Sequence, residues 1–424
     1  MAISLAVKAN HVIVSIGCGG KPARQNRMNQ QLSDFAARLR EAISSEGRVI
    51  RGPNSRTEKW DSCNSSLREF NPLALELFRL QFRHNAAYRK ICEARKRTPQ
   101  TIGHWSDIPA VPTAAFKELE LTCLKPNERT AVFHSSGTTG QKHSRHFHCA
   151  ESLELYEASL WSWFEPNILA NPKFKIQNSK LVVLTPSPIQ APHSSLVHMF
   201  EIVRQKLNAP KSVFVGKLAA DGAWTLDFEA ALAVLEGNSK LKTQNSKLIL
   251  GTAFSFVHLL DFLSKENQRF DLPAGSRVME TGGYKNCSRS MLKEELHALI
   301  AERLGMLRKN IICEYGMSEL SSQAYAVTGG KWQSTRNGGA LCHVPPATCH
   351  FHFPPWARVQ IISPETGREV ADGETGLIRV FDLANVFSMA AIQTEDLGIR
   401  RGDSFELIGR AQLVEPRGCS LMTA

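Results

Sequence analysis

From Phe70 onward the apolar positions fall on a helical period. In NPLALELFRLQFRHNAAYRKICEAR, Leu73, Leu75, Leu77, Phe78, Leu80, Phe82, Ala86, Ala87, Tyr88 and Ile91 form a broad stripe among polar neighbours, which predicts a helical segment. The stretch DIPAVPTAAFKELE is a proline-punctuated entry into the next segment. Beyond it, short apolar runs alternate with amphipathic ones. Residues 130–134, 180–185, 247–252, 277–280 and 310–314 read as strands. Residues 151–164, 196–207, 254–264 and 291–304 read as helices, with Ser288 a candidate cap for the last. This strand–helix rhythm predicts an α/β fold around a largely parallel sheet, with loops gathered at the strand ends. From about Trp356 the pattern changes to β-rich (WARVQIIS, GETGLIRVF, DSFELIGRA), with turns at 365–367 and 372–373. No internal repeat is visible.

Before residue 65 the pattern is polar, basic and irregular, with one short helix expected over 30–43 and a loosely attached character overall. The 424 residues are 42% hydrophobic and 21% charged, the ordinary balance of a soluble globular protein with room for one large domain or two. No apolar run approaches membrane-spanning length. The N-terminus MAISLAVKANHVIVSIGCGG lacks the basic start, clean hydrophobic stretch and cleavage site of a signal peptide. The ten cysteines are scattered, which argues for reduced thiols in the cytoplasm and against a disulfide framework. The formal charge of +11 has an early concentration at Arg79, Arg83, Arg89, Lys90, Arg95, Lys96 and Arg97. No nucleic-acid motif accompanies it, so it reads as a solvated helix face.

Three expected strand ends carry unusual residues: HSSGTTG, ETGGYKN and EYGMSE. In parallel α/β sheets ligands bind outside the carboxyl ends of strands. In the first loop, Gly137 and Gly140 permit positive φ and close backbone approach, while Ser135, Ser136, Thr138 and Thr139 supply hydroxyls. Successive amides in such a turn cradle phosphate oxygens, though the spacing is not that of a Walker A loop. Tyr315 offers an aromatic face for a purine, and Glu319 a carboxylate of the kind that binds Mg²⁺. Gly282 and Gly283 let a flat base lie against backbone. Asp396 can accept from ribose hydroxyls, and Arg410 can reach ribose or phosphate. Each of these residues also has an ordinary surface or turn reading.

The order of these motifs resembles the adenylate-forming superfamily of acyl-CoA synthetases, adenylation domains and luciferases, and within it the LuxE-type acyl-protein synthetases. The resemblance runs from about Phe70 to the C-terminus. It rests on IPAVPTAAFK, FHSSGTTGQKHSRH, ETGGYKNCSR, EYGMSELSSQ, PPWARV, DLANVFSMAAIQTEDLG and GRAQLVEPRGCSLM. It implies a large adenylate-forming core over 66–400, after the N-terminal extension 1–65 and before a short C-terminal tail, 401–424. It also implies a two-step reaction: ATP activates a fatty or similar carboxylic acid to acyl-AMP, and a thiol then takes the acyl group for an acyl-reductase-like partner. By motif, residues Ser135, Ser136, Gly137, Thr138, Thr139 and Gly140 would hold phosphates. Gly282, Gly283, Tyr315, Gly316, Met317 and Ser318 would frame the nucleotide. Glu319 would bind Mg²⁺, Asp396 and Arg410 would hold ribose, and Cys419 in RGCSL would accept the acyl group, its thiolate favoured by Arg417.

The pattern departs from the wider superfamily in two places. The chain reads as truncated before the mobile C-terminal domain that carries a catalytic lysine, and Ala411 and Gln412 stand where a hinge acid is usual. Lys142 is at best an approximate counterpart of the usual lysine after the phosphate loop. Two other functions are carried: an acid–CoA or acid–carrier-protein ligase similar to phenylacetate–CoA ligases, and a non-catalytic adenylate-binding scaffold. In LCHVPPATCHFHF, Cys342, His343, Cys349, His350 and His352 have atoms suited to zinc, but their spacing matches no ligand pattern, and a structural reading is favoured. His193 beside Ser194 and Ser195 reads as a loop end near the acyl pocket, since no acid partner for a hydrolase triad can be identified.

Overall fold

The computed structural model describes residues 26–50, 70–135, 142–169, 180–209, 212–220, 222–236, 246–282, 291–327 and 349–411. Its centre is a six-stranded sheet ordered Ala324–Val327, Ile311–Tyr315, Arg277–Thr281, Lys247–Thr252, Lys180–Val183 and Val213–Phe214. All neighbours are parallel except the edge strand Ala324–Val327, which turns back antiparallel on Ile311–Tyr315. The strands read as near-continuous apolar runs because helices or other layers cover both faces. Leu248, Ile249 and Leu250 are all buried, as are Val278 and Met279.

The crossover helices are Ser195–Lys206, Ala253–Lys265 and Lys293–Arg303. Their starts follow from sequence chemistry. The Ser194 hydroxyl accepts from Val197 N, and the Thr252 hydroxyl accepts from Ser255 N, so each satisfies an orphan amide of the first turn. The helix expected over 291–304 starts later, at Lys293, with Leu292 at the cap position and no side-chain cap bond. Ser288 lies outside the described residues.

The β-rich region from Trp356 forms a second sheet, ordered His350–Phe351, Ser404–Arg410, Ala391–Arg401, Thr375–Asp382 and Ala357–Ile362, all antiparallel. Val111–Pro112 adds to it in parallel alongside Ala391–Arg401. Residues 404–410, expected to belong to a tail, are thus a strand inside this sheet, with Phe405 fully buried.

The early segment also departs from expectation. The short helix expected over 30–43 runs from Asn26 to Ile50, and it is not loosely attached. Leu32, Phe35, Leu39 and Ile43 recur at helical spacing and are all buried in the main core, where the helix packs on Ala150–Phe164. An ion pair between Arg40 and Glu154 joins the two helices. The stripe was masked by the many charged residues between its members. The helical stretch after Phe70 is two helices, Phe70–His84 and Ala86–Ala94. They are broken at Asn85, whose side chain caps the second by accepting from Tyr88 N. Part of the basic cluster beyond is tied down rather than merely solvated: Arg89 donates to the carbonyls of Phe82 and Arg83, and Arg95 to that of Ala110.

Among the described residues no helix is long and apolar enough to cross a membrane. Cys92, Cys123, Cys149, Cys313 and Cys349 are free thiols.

Candidate active site

The strand Ile311–Tyr315 delivers the EYGMSE loop to the carboxyl edge of the central sheet, beside Thr281 and Gly282 at the end of Arg277–Thr281. Gly282 has φ +76°, a left-handed backbone that suits glycine. A side chain at Gly316 would meet the Glu314 carboxylate, which would have to shift to admit it. Glu314 itself is buried and takes a hydrogen bond from the Thr281 hydroxyl. Burial pushes its carboxyl up to about 7.

Glu319 is 5% exposed, and its Oε2 accepts a 2.9 Å hydrogen bond from Ser318 Oγ. Among the described residues no lysine, arginine or histidine pairs with it. A hard carboxylate held away from water without a countercharge fits a divalent cation bound to phosphates.

The strand Ala131–His134 does not join the central sheet. It pairs antiparallel with Arg145–His148 as a separate hairpin, so the Ser/Thr/Gly loop connects two hairpin strands, not a strand and a helix. Of that loop Ser135 is described, while Ser136, Gly137, Thr138, Thr139 and Gly140 lie outside the described residues. The described flanks of the loop approach Ser318, the neighbour of Glu319. Ser144 N donates to Ser135 Oγ at 3.1 Å, and Ser144 Oγ lies 3.5 Å from Ser318 Oγ. His146 Nδ1 donates to the carbonyl of Ser318 at 2.8 Å. Burial lowers His146 to about 4, so the ring is neutral at physiological pH and serves as a fixed donor.

The second sheet closes the other side. Tyr315 Oη donates to Asp396 Oδ2 at 3.0 Å, and Arg410 Nε stands 3.8 Å from Asp396 Oδ1. Asp396 and Arg410 face each other in strand register, and Arg410 also reaches Glu395 at 3.3 Å. The Tyr315 ring is framed edge-on by Phe351, Phe353 and Phe405, and the residue is 6% exposed. Its hydroxyl, more than an open ring face, is what meets Asp396.

Residues 56–424 match the family described as acyl-protein synthetase, LuxE. The chain belongs to the LuxE family. This LuxE-family chain is 24% identical over 378 residues to the long-chain-fatty-acid–luciferin-component ligase of Aliivibrio fischeri, covering 83% of this chain and 87% of that one. It is 24% identical over 361 residues to the protein of the same name from Vibrio harveyi, with 81% and 84% covered. Its fold is that of an adenylate-forming ligase. A 2-hydroxyisobutyryl-CoA ligase in complex with 2-HIB-AMP and CoA superimposes with a TM-score of 0.56 at 14% identity, covering 81% of this chain and 67% of that one. By family the chain is a ligase.

Several residues that hold the LuxE-family site together carry no motif signal of their own. Buried Asp382 accepts from Ser321 N, Ser322 N, Ser322 Oγ and Ala384 N, at 2.8–3.0 Å, and fixes the backbone that follows Glu319. Burial raises its carboxyl to about 6. Asn385 Nδ2 donates to the carbonyl of Glu319 at 2.8 Å. Gln81, from the helix Phe70–His84, donates to the carbonyls of Asn385 and Val386. His146, Asp382 and Asn385 lie within the HSRH and DLANVF stretches, whose motifs alone give them no role. The period-two alternation of His146 and His148 was the one available signal for a shared buried face.

Lys142 pairs with Glu118 at 2.6 Å, both groups exposed, and so points to a surface partner. His193 Nδ1 donates to the carbonyl of Val132 at 3.2 Å, and Ser194 serves as a helix cap, which leaves neither for a hydrolase pair. Gly283 and Cys419 lie outside the described residues, as do Cys342 and His343. His350 bonds Glu406 at 2.9 Å, and the carbonyl and amide of His352 bridge to Tyr325. A groove of about 600 Å³, lined by Arg40, Glu154, Trp161 and Lys206, touches none of the site residues.

Proposed function

We propose that this chain uses ATP to activate a fatty acid and then carries the acyl group as a thioester on Cys419, for delivery to an acyl-reductase-like partner. The supporting observation is the meeting of three motifs from distant parts of the chain: Ser135 and Ser144 at the Ser/Thr/Gly loop, Ser318 with Glu319, and Tyr315 with Asp396 and Arg410.

In the first step a carboxylate oxygen of the acid attacks the α-phosphorus of ATP, and the bond to pyrophosphate breaks. Charge grows on the phosphoryl oxygens. The hydroxyls and amides of the Ser/Thr/Gly loop offset it, and Asp396 and Arg410 orient the ribose. Glu319 would hold Mg²⁺, which when bound supplies positive charge beside the phosphates. In the second step the Cys419 thiolate attacks the acyl carbonyl, and the carbon–oxygen bond to AMP breaks.

The test is labelled fatty acid with ATP, followed by a denaturing gel and hydroxylamine. Label that stays on the protein, is released by hydroxylamine, and is lost in Cys419→Ser while acid-dependent ATP–pyrophosphate exchange persists is the expected result. Unchanged label in Cys419→Ser would refute the assignment of the nucleophile. Absence of exchange would remove the activation step itself.

A further inference from the structure

His297, Cys313 and Cys349 come from three separate elements and converge in the core. His297 lies on the helix Lys293–Arg303, Cys313 on the strand Ile311–Tyr315, and Cys349 directly before the strand His350–Phe351. All three are buried, His297 and Cys313 completely. Cys313 Sγ is 3.4 Å from Cys349 Sγ and 3.7 Å from His297 Nε2, and the three atoms lie within 4.8 Å of one another.

We propose that His297 Nε2, Cys313 Sγ and Cys349 Sγ bind a structural zinc ion. With Zn–S near 2.3 Å and Zn–N near 2.0–2.1 Å, a tetrahedral ion holds its ligand atoms about 3.5–3.8 Å apart. The observed 3.4 and 3.7 Å spacings fall beside that range. A disulfide needs sulfurs about 2.05 Å apart. Thiolates with an imidazole are the donor set that suits zinc over magnesium or calcium.

The surroundings can accommodate a dication. Glu280 is fully buried on the neighbouring strand. Its Oε1 is 3.2 Å from His297 Nε2 and 3.0 Å from Lys293 Nζ, and its Oε2 has no partner among the described residues. Two thiolates neutralise Zn²⁺, and the Lys293–Glu280 pair neutralises itself, so the buried assembly carries no net charge. The carboxylate of Glu280 is within reach of the fourth position. A ligating His297 Nε2 carries no proton, so the ring hydrogen then sits on Nδ1.

Such an ion ties the two sheets together. Cys313 sits two residues before Tyr315 in the central sheet. Cys349 leads into the strand that pairs with Ser404–Arg410, the strand of Arg410. The zinc would thus be a fastening beneath the crevice and not part of the chemistry in it.

The test uses tag-free full-length protein. Zinc content is measured by mass spectrometry, and dialysed protein is titrated with cobalt(II) alone. The expected result is one zinc per chain and the intense visible bands of tetrahedral cobalt–thiolate. Both should fall at least tenfold in Cys313→Ser and Cys349→Ser and be kept in Cys123→Ser. X-ray absorption at the zinc edge of the unaltered protein should show sulfur in the first shell, a readout that does not depend on the variants folding. Protein that holds no zinc and gives no cobalt–thiolate absorption overturns the proposal. So does zinc retained at full content in both cysteine variants, or a first shell without sulfur.

Discussion

Tyr315 Oη and Asp396 Oδ2, 81 residues apart in the chain, meet in a 3.0 Å hydrogen bond that joins the end of a central-sheet strand to a strand of the second sheet. The bond holds Asp396 at the edge of the crevice, where Arg410 flanks it. Tyr315→Phe keeps the ring against Phe351, Phe353 and Phe405 and removes only the hydroxyl. A hydrogen bond to a charged acceptor is worth about 1.5–3 kcal/mol, so KM for ATP in pyrophosphate exchange should rise about tenfold or more. An unchanged KM would show that Asp396 needs no help from Tyr315.

Glu319 should matter more than its partners. Glu319→Gln preserves size and hydrogen bonding to Ser318 but removes the charge. Exchange should fall about 10²–10³-fold, with a melting temperature close to that of the unaltered chain. His146→Ala leaves the Ser318 carbonyl without its donor and should cost about 1–3 kcal/mol of stability as well as activity. His146→Gln, which can still donate, should recover part of both. Equal loss in the two His146 variants would mean that the ring serves only as filling.

The buried Glu314 gives a pH signature with a defined sign. Its folded-state carboxyl is raised from 4.5 to about 7, so the folded state binds the extra proton between those values. The contribution is therefore present at low pH and is lost as pH rises through about 7. His146, lowered from 6.5 to about 4, acts in the opposite sense: its contribution is lost as pH falls toward 4. Urea unfolding of the unaltered chain and of Glu314→Gln, compared across pH 4.5–8, separates the two. The variant should gain relative stability as pH rises to about 7 and then level off. A pH-independent difference would mean that Glu314 does not titrate in this range.

The helix Asn26–Ile50 is a further target. Phe35 is 1% exposed and sits in the main core. Phe35→Ala should cost about 3–5 kcal/mol in urea unfolding. A change below about 0.5 kcal/mol would be the behaviour of a surface residue and would detach this helix from the fold.

The sequence by itself determined the strand–helix rhythm from residue 180 to 315 and the β-rich stretch after Trp356. Both are written in the spacing of apolar residues a few positions apart, and that spacing is a local property. It determined the motif order as well, which carries the LuxE resemblance and the identities of Glu319, Asp396 and Arg410. Only the tertiary structure decided which of these groups meet. The strand at Ala131–His134 has the right local pattern for the parallel sheet, yet its pairing is with Arg145–His148, because pairing is fixed by distant partners and not by the strand's own residues. Asp382, Asn385 and His146 gained their roles from carbonyls and amides 60 to 172 residues away. In the sequence Cys349 stands beside histidines, whereas the fold sets it against Cys313 and His297. A side chain's neighbours in sequence are set by the order of synthesis. Its neighbours in space are set by which apolar faces bury one another, and that is settled only when the two sheets pack.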